Sequence, residues 1–353
     1  MTMSLIESFK SLFGARGKSV DGKSVAERPD AAPAAAERVG GEGASTKAAS
    51  AKSPKDAAKA GDGATPPRAR GVIRGKVNIE SRFERLRSSV SGTMSNFYVA
   101  RDRTNGEIVG VKLCDLEKVE FFEARFKGLG KPTEGEIALQ MKHPLIVETY
   151  EVGVSTKNEP FLVMQYIDGP TLQKVIADRN EQAVAESRLE MIRNMAESIL
   201  YVHERGFIHR DICPRNFICL PDYSGVRLID FGLTVPATPP FMAPGNRTGT
   251  PLYMSPEIVR RRSTDKRVDI FSFGVSCYSL CTFEFPWQAV LTNGRAALHH
   301  DTEPPKDILA YRPNLDPRLA KAIMQAMHPQ VDQRTASLDL FLRQIQAVTS
   351  ATA

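Results

Sequence analysis

No stretch of this 353-residue chain approaches 18 uninterrupted apolar residues, so no transmembrane helix is expected. The N-terminus does not join a basic region to an apolar run and a small-residue cleavage site, which speaks against a secretory leader. The five cysteines (Cys114, Cys213, Cys219, Cys277 and Cys281) form no CxxC pair and no Cys/His cluster. An odd, scattered set reads as free thiols in a reducing compartment, and the expected location is cytoplasmic. No aromatic residue occurs from Gly14 to Asn78, and 13 of the 34 residues from Ala31 to Ala64 are alanine. Such a segment cannot bury enough apolar surface to offset the entropy of ordering it, so residues 14–78 are expected to be a disordered, low-complexity linker.

The net charge of +6 at first suggests an acidic partner. Its distribution removes that suggestion. Residues 1–70 hold 12 Lys and Arg against 8 Asp and Glu, and the rest of the chain holds 35 against 33. The basic excess is concentrated in the linker, whose cations are neither dense nor interleaved with aromatics, so no nucleic-acid partner is expected. Ahead of the linker, Leu5, Ile6, Phe9, Leu12 and Phe13 recur at helical spacing. Residues 1–13 therefore read as a short amphipathic segment, either docking on a partner or weakly on a membrane surface, or packed on the domain or frayed.

Beyond residue 79 the pattern becomes that of a folded domain. Residues 97–100 and 108–113 are β-type runs joined by the turn Thr104-Asn105-Gly106, and 145–152 and 161–166 are further strand candidates. Residues 187–203 place Leu189, Ile192, Met195, Ile199, Leu200 and Val202 on one helical face, and 269–280 and 319–327 are also helix-like. Strands first and helices afterwards describe an α+β layout with two unequal lobes.

The strongest chemical signal is His209-Arg210-Asp211-Ile212-Cys213-Pro214-Arg215-Asn216, followed by Asp230-Phe231-Gly232 and then Gly249-Thr250-Pro251-Leu252-Tyr253-Met254-Ser255-Pro256-Glu257. In order and spacing this resembles the catalytic loop, magnesium loop and P+1 segment of eukaryotic-type Ser/Thr protein kinases, over residues 79–348. The resemblance implies a two-lobed kinase-like fold. Its N-lobe, about 79–164, would be a small antiparallel sheet with helix C, and its C-lobe, about 168–348, mainly helical. Asp211 would orient or accept the proton of a substrate hydroxyl. Asn216 and Asp230 would hold Mg²⁺, with Mn²⁺ as a substitute, and ATP would be the phosphoryl donor. Lys112, in Val109-Gly110-Val111-Lys112, resembles the strand lysine that meets the nucleotide phosphates. Glu134 is matched to its helix-C partner, with Glu136 as the fallback. By the same resemblance the nucleotide would lie among Val90, Gly92, Ser95, Phe97, Gly110, Lys112, Met164, Gln165, Ile167 and Ile218. Met164 would be the gatekeeper, and the backbone of Gln165 and Ile167 would face the adenine edge. Glu257 and Arg334 resemble the ion pair that ties the activation segment to a late helix, and Asp269 the aspartate that braces the catalytic loop.

The chain departs from the family pattern in several places. Val90, Gly92 and Ser95 stand where three glycines are usual, and Phe97 stands where a smaller valine roofs the adenine. Weakened nucleotide affinity is therefore expected. Cys213 stands where Ser/Thr kinases carry a lysine that neutralises the transferred phosphoryl group, and Arg215 is expected to replace that charge in part. Gly128, Gly130 and Pro132 intervene between Lys112 and Glu134, so a separate short helix is expected over 121–127 and the helix bearing Glu134 is expected to start near Pro132.

Arg210 precedes the catalytic aspartate, and residues 231–256 contain no Asp or Glu to neutralise it. Loop phosphorylation is expected, at Thr248 first and Thr238 second, while Thr250 is the structural threonine beside Asp211. An always-ordered loop held by Phe241, Met242 and the prolines is the other reading. For the whole chain, a Ser/Thr protein kinase acting on a protein substrate is the first reading. A pseudokinase serving as a nucleotide-binding scaffold is the second.

Overall fold

The computed structural model describes residues 70–87, 90–91, 95–245, 247–287, 296–300 and 302–352. The 1–13 segment, the linker up to residue 69 and Gly92 lie outside the described residues. The chain first forms β1 (Gly71–Val77), α1 (Ile79–Arg82), β2 (Phe83–Arg85), β3 (Val90–Ser91), β4 (Ser95–Asp102) and β5 (Ile108–Cys114). Helix α2 (Leu116–Glu123), a 3₁₀ turn (Ala124–Phe126) and helix α3 (Glu134–Gln140) follow, before β6 (Thr149–Ser155) and β7 (Pro160–Gln165) complete the sheet.

The strand order is β1-β6-β7-β5-β4-β2, with β3 also on β4. All neighbours are antiparallel except β1, which runs parallel to β6. Alternation along each strand divides the sheet into two faces. Tyr98, Ala100, Val109, Val111, Phe161 and Val163 join Ile79 and Phe83 in a core on one face. The intervening positions, among them Phe97, Gly110, Lys112, Leu162 and Met164, occupy the other, which looks into the cleft.

The C-lobe contains α4 (Leu172–Ala177), α5 (Glu181–Val184), α6 (Arg188–Glu204), the short strands β8 (Phe207–Ile208), β9 (Phe217–Cys219), β10 (Val226–Leu228) and β11 (Val235–Pro236), then α7 (Pro239–Met242) and α8 (Pro256–Val259). Helices α9 (Arg267–Thr282), α10 (Ile308–Tyr311), α11 (Pro317–Ala326) and α12 (Leu338–Gln344) close it. Every residue of α9 from Val268 to Thr282 is buried. Some of its polar side chains bond within the helix and others reach outward: Ser276 donates to the Ser272 carbonyl at 2.7 Å and Thr282 to that of Tyr278 at 2.8 Å, while Ser272 donates to the Tyr253 carbonyl at 2.7 Å. Phe273 meets Phe341 edge to face with centroids 4.8 Å apart, locking α9 to α12. Where the chain passes between the lobes, a Cβ on Gly169 would lie 1.9 Å from the Cys219 carbonyl oxygen, so only glycine fits that approach.

Several sequence expectations are corrected. Strand β1 lies inside the span expected to be linker, because Ile73 and Val77 pack against the outer core and the strand gains β6 as a partner. Ordered packing runs past residue 348: Val348 and Ala351 are buried, and the Asp316 N–H donates to the Ala351 carbonyl at 2.9 Å. The strand expected over 145–152 begins only at Thr149, since Leu145 and Val147 instead exchange hydrogen bonds with Leu228. The helix expected over 121–127 starts earlier, at Leu116, because Asp115 caps it by accepting from the Lys118 N–H.

Candidate active site

Lys112 sits on β5, opposite Phe97 on β4 and Leu162 on β7. Its ammonium bonds Glu134 and lies 2.9 Å from Asp230 Oδ1, with only 8% of the side chain exposed. Burial opposes its charge, but Asp230 and Glu134 outweigh burial and push its pKa above the ordinary lysine value. Local sequence decides which glutamate serves. Thr133 caps α3 and forms a reciprocal box with Glu136, whose carboxylate accepts from the Thr133 N–H at 2.8 Å. Glu136 is thereby committed to the cap, and Glu134, one residue inside the helix, reaches Lys112.

Asp230 adopts φ of 70° and accepts from the Gly232 N–H at 2.9 Å. Burial alone would raise its pKa, but Lys112 and the Gly232 N–H hold it at about 2. The next residue, Phe231, is buried, and its ring lies 5.5 Å from that of His209. Behind Met164 a small cavity is lined by Glu134, Ala138, Val147, Leu162 and Phe231.

Asp211 is the meeting point of the catalytic loop. Its Oδ1 accepts from Thr250 Oγ1 at 2.7 Å, and its Oδ2 accepts from Asn216 Nδ2 at 3.1 Å and Arg215 Nη2 at 3.2 Å. Asn216 Nδ2 also donates to the Asp211 carbonyl at 2.7 Å, which leaves its amide oxygen on the opposite side of the group. The loop backbone is braced from α9. Asp269 accepts from the His209 and Arg210 N–H groups at 2.7 and 2.8 Å, and His203 Nε2 lies 2.9 Å away. Although burial raises the Asp269 carboxyl, these partners outweigh it and hold the pKa below the ordinary 3.8. Cys213 is 1% exposed, and burial pushes its thiol up to about 12, so it stays neutral.

Glu257 and Arg334 form a buried two-point ion pair at 2.7 and 3.0 Å. Among the nucleotide positions, Val90 and Ser95 place their backbones in β3 and β4, and Gln165 ends β7 with its side chain accepting from Arg227 at 3.0 Å. Half-buried Ile218 lies between buried Phe217 and Cys219 on β9. Ile167 follows β7 on the connection between the lobes.

Arg210 is buried, with φ of 66°. Its Nη2 donates to the Phe241 carbonyl and to Thr264 Oγ1, while Nε and Nη1 are buried without a partner. Burial lowers its pKa to about 10 despite Asp269. Phe241 packs on Phe126 with centroids 5.5 Å apart, and Phe126 on Phe122 at 5.4 Å, so an aromatic ladder joins the activation segment to α2. Thr248 is buried with an unpartnered hydroxyl, whereas Thr238 is exposed at the start of α7. Of the two expected threonines, Thr238 is thus the one with its hydroxyl accessible in this structure.

Sequence reasoning singled out Phe97 and Gly110 separately and missed that they touch. A Cβ on Gly110 would lie 2.6 Å from Phe97 Cε2. Only the cross-strand register brings the two positions together.

A family model described as a protein kinase domain matches residues 84–344. A probable serine/threonine-protein kinase of Streptomyces coelicolor is 30% identical over 264 residues, covering 72% of this chain and 38% of the relative. The serine/threonine-protein kinase PknB of Mycolicibacterium smegmatis is 29% identical over 270 residues, covering 73% and 41%. PknD of Chlamydia felis is 27% identical over 287 residues, covering 73% and 30%. The chain thus spans less than half the length of these curated relatives. Among the described residues, no helix is long and apolar enough to cross a membrane.

Proposed function

This chain belongs to the protein kinase family, and from that premise we propose that it is a serine/threonine kinase transferring the γ-phosphoryl group of ATP to a protein hydroxyl. The observation that carries the reading is the convergence of Lys112 with Glu134 and Asp230, opposite an Asp211 carboxylate held by three side chains. In this reading Asp211 receives the substrate hydroxyl and takes its proton. Thr250 and Asn216 fix the rotation of that carboxylate. Lys112, oriented by Glu134, presents its ammonium where the ATP phosphates enter. Arg215 supplies a positive charge beside Asp211 that neutral Cys213 cannot.

Asp230 and the amide oxygen of Asn216 are hard oxygen donors that fit Mg²⁺, or Mn²⁺ in its place. Such a cation would supply positive charge on the phosphate oxygens. The five free, buried cysteines suit a reducing, cytoplasmic setting. The activation segment is proposed to be modified in trans at exposed Thr238, and at Thr248 only after the segment opens. Residues 1–13, with the Ala-rich stretch behind them, would act as a tether with an apolar tip.

The test is transfer of label from γ-labelled ATP to casein and to the protein itself, comparing wild type with Asp211→Ala. Transfer by wild type and none by the variant is expected. Equal background incorporation in both overturns the reading.

A further inference from the structure

At the mouth of the cleft, three side chains outside the catalytic group close on one another. Arg87 stands two residues past the end of β2, after Leu86, whose N–H donates to the Val99 carbonyl of β4 at 2.9 Å. It lies at the root of the loop that runs through β3 and is expected to cover the nucleotide phosphates. Tyr166 and Asp168 flank Ile167 on the connection between the lobes. Arg87 Nη1 donates to Asp168 Oδ1 at 2.8 Å, and Nη2 donates to Oδ2 at 3.3 Å. The Tyr166 hydroxyl accepts from Arg87 Nη1 at 2.7 Å and donates to Asp168 Oδ1 at 2.7 Å, which closes a triangle. The Arg87 guanidinium also lies 5.7 Å from the centre of the Tyr166 ring.

The two ends of this contact belong to different lobes. Arg87 is carried by the N-lobe sheet. Asp168 is seated on the C-lobe, because a Cβ on the next residue, Gly169, would meet the Cys219 carbonyl oxygen, and the Cys219 N–H donates to the Pro170 carbonyl at 2.9 Å. Lifting the loop, or parting the lobes, must therefore pull Arg87 away from Asp168. Resting on the proposed kinase reading, we propose that Arg87, Tyr166 and Asp168 form a clasp that holds the root of the phosphate-covering loop to the inter-lobe connection and slows the release of a nucleoside diphosphate. They are positioning residues, acting through the loop and not on the reacting atoms. An exposed ion pair generally adds little. Here both carboxylate oxygens are engaged and a third group fixes the geometry, which is the arrangement in which such a pair keeps its worth. The Arg87 and Asp168 side chains are 60% and 63% exposed, so their hold is weakened by salt. Val90 and Ser95 stand where glycines would let the loop settle on phosphate, and a clasp at its root is another means of keeping it down.

The test is stopped-flow displacement of mant-ADP (a fluorescent ADP derivative) from the full chain by excess ADP in the presence of Mg²⁺. It compares wild type, Arg87→Glu, Asp168→Lys and the double exchange at about 0.05 M and about 0.5 M salt, with a thermal melt of each to report folding. Each single change sets like charges against each other and is expected to speed release about three- to fivefold. The double exchange restores opposite charges and is expected to return the rate most of the way to wild type. The difference between the single variants and wild type is expected to shrink at the higher salt. A merely structural role for either side chain would give neither the recovery nor the salt dependence. Three outcomes overturn the clasp but leave the kinase reading standing: release from the single variants at the wild-type rate, additive effects in the double exchange, or a difference that salt leaves untouched. Failure of the folded wild type to bind mant-ADP overturns both.

Discussion

Arg215 and Thr250 face each other across the catalytic loop, with Nη2 and Oγ1 3.1 Å apart, and both hold the same carboxylate, that of Asp211. Buried Cys213 lies beneath, its Sγ 3.7 Å from the same hydroxyl. The position that would carry a lysine in most Ser/Thr kinases is thus filled by an uncharged thiol, and Arg215, two residues further along, places a cation beside Asp211. Arg215→Ala is expected to lower kcat by about 10²-fold or more, with a much smaller change in the KM for ATP, and Arg215→Lys to recover part of the loss. Steady-state transfer assays measure both. An unchanged kcat in Arg215→Ala refutes the assignment.

Asp269 gives the acid side of the stability profile a definite sign. Its pKa in the folded protein lies below the ordinary 3.8, so its contribution is complete above that value and is lost as the pH falls through the depressed one. Asp269→Asn keeps the shape and gives up the charge. Denaturant midpoints measured between pH 6 and pH 3 are expected to fall less steeply for the variant than for wild type.

The buried pair of Glu257 and Arg334 is more sensitive to losing one partner than its distances alone suggest. The Arg334 side chain is 0% exposed and also donates to the carbonyls of His328 and Arg267, at 2.9 and 2.8 Å. Arg334→Ala strands a carboxylate in the interior, which costs about 3–5 kcal/mol. Urea unfolding of Arg334→Ala is expected to show that loss, and the double change with Glu257→Gln a smaller one.

Accessibility separates the two threonines of the activation segment. Peptide mapping of protein incubated with ATP is expected to show phosphate on Thr238 before Thr248. Phe241→Ala removes the ladder contact to Phe126 and is expected to speed modification of Thr248. An unmodified 231–256 peptide in active protein sinks loop phosphorylation as a switch and favours an always-ordered segment held by Phe241, Met242 and the prolines.

Much of the catalytic loop is legible in the amino-acid sequence alone. Asp211, Asn216 and Asp230 announce themselves because short loops bind charge with fixed residue types at fixed spacing. The long helices α6 and α9 show because apolar residues recur along them over four turns. Other features depend on geometry that spacing does not encode. Strand β1 is basic and free of aromatics, and becomes a strand only because β6 offers it an open edge. Spacing already favours Glu134 over Glu136, but only the Thr133 cap, which claims Glu136, supplies the physical reason. Phe97 and Gly110 are 13 positions apart in sequence, and only the pairing of β4 with β5 brings the ring against the glycine.

Strand β1 also bears on how the molecule behaves in company. Without it, β6 would end the sheet with its backbone groups unpaired and Val152 and Val154 beside them, an edge suited to recruiting another chain. With it, the last strand is Gly71–Val77, which carries Arg74 and Lys76, is broken in register and holds Gly75 at φ of 83°. Glycine, a kink and like charges are poor templates for further pairing. The seven residues of β1, inside the span expected to be linker, thus cover the edge of β6, and a chain trimmed at residue 78 would expose that edge.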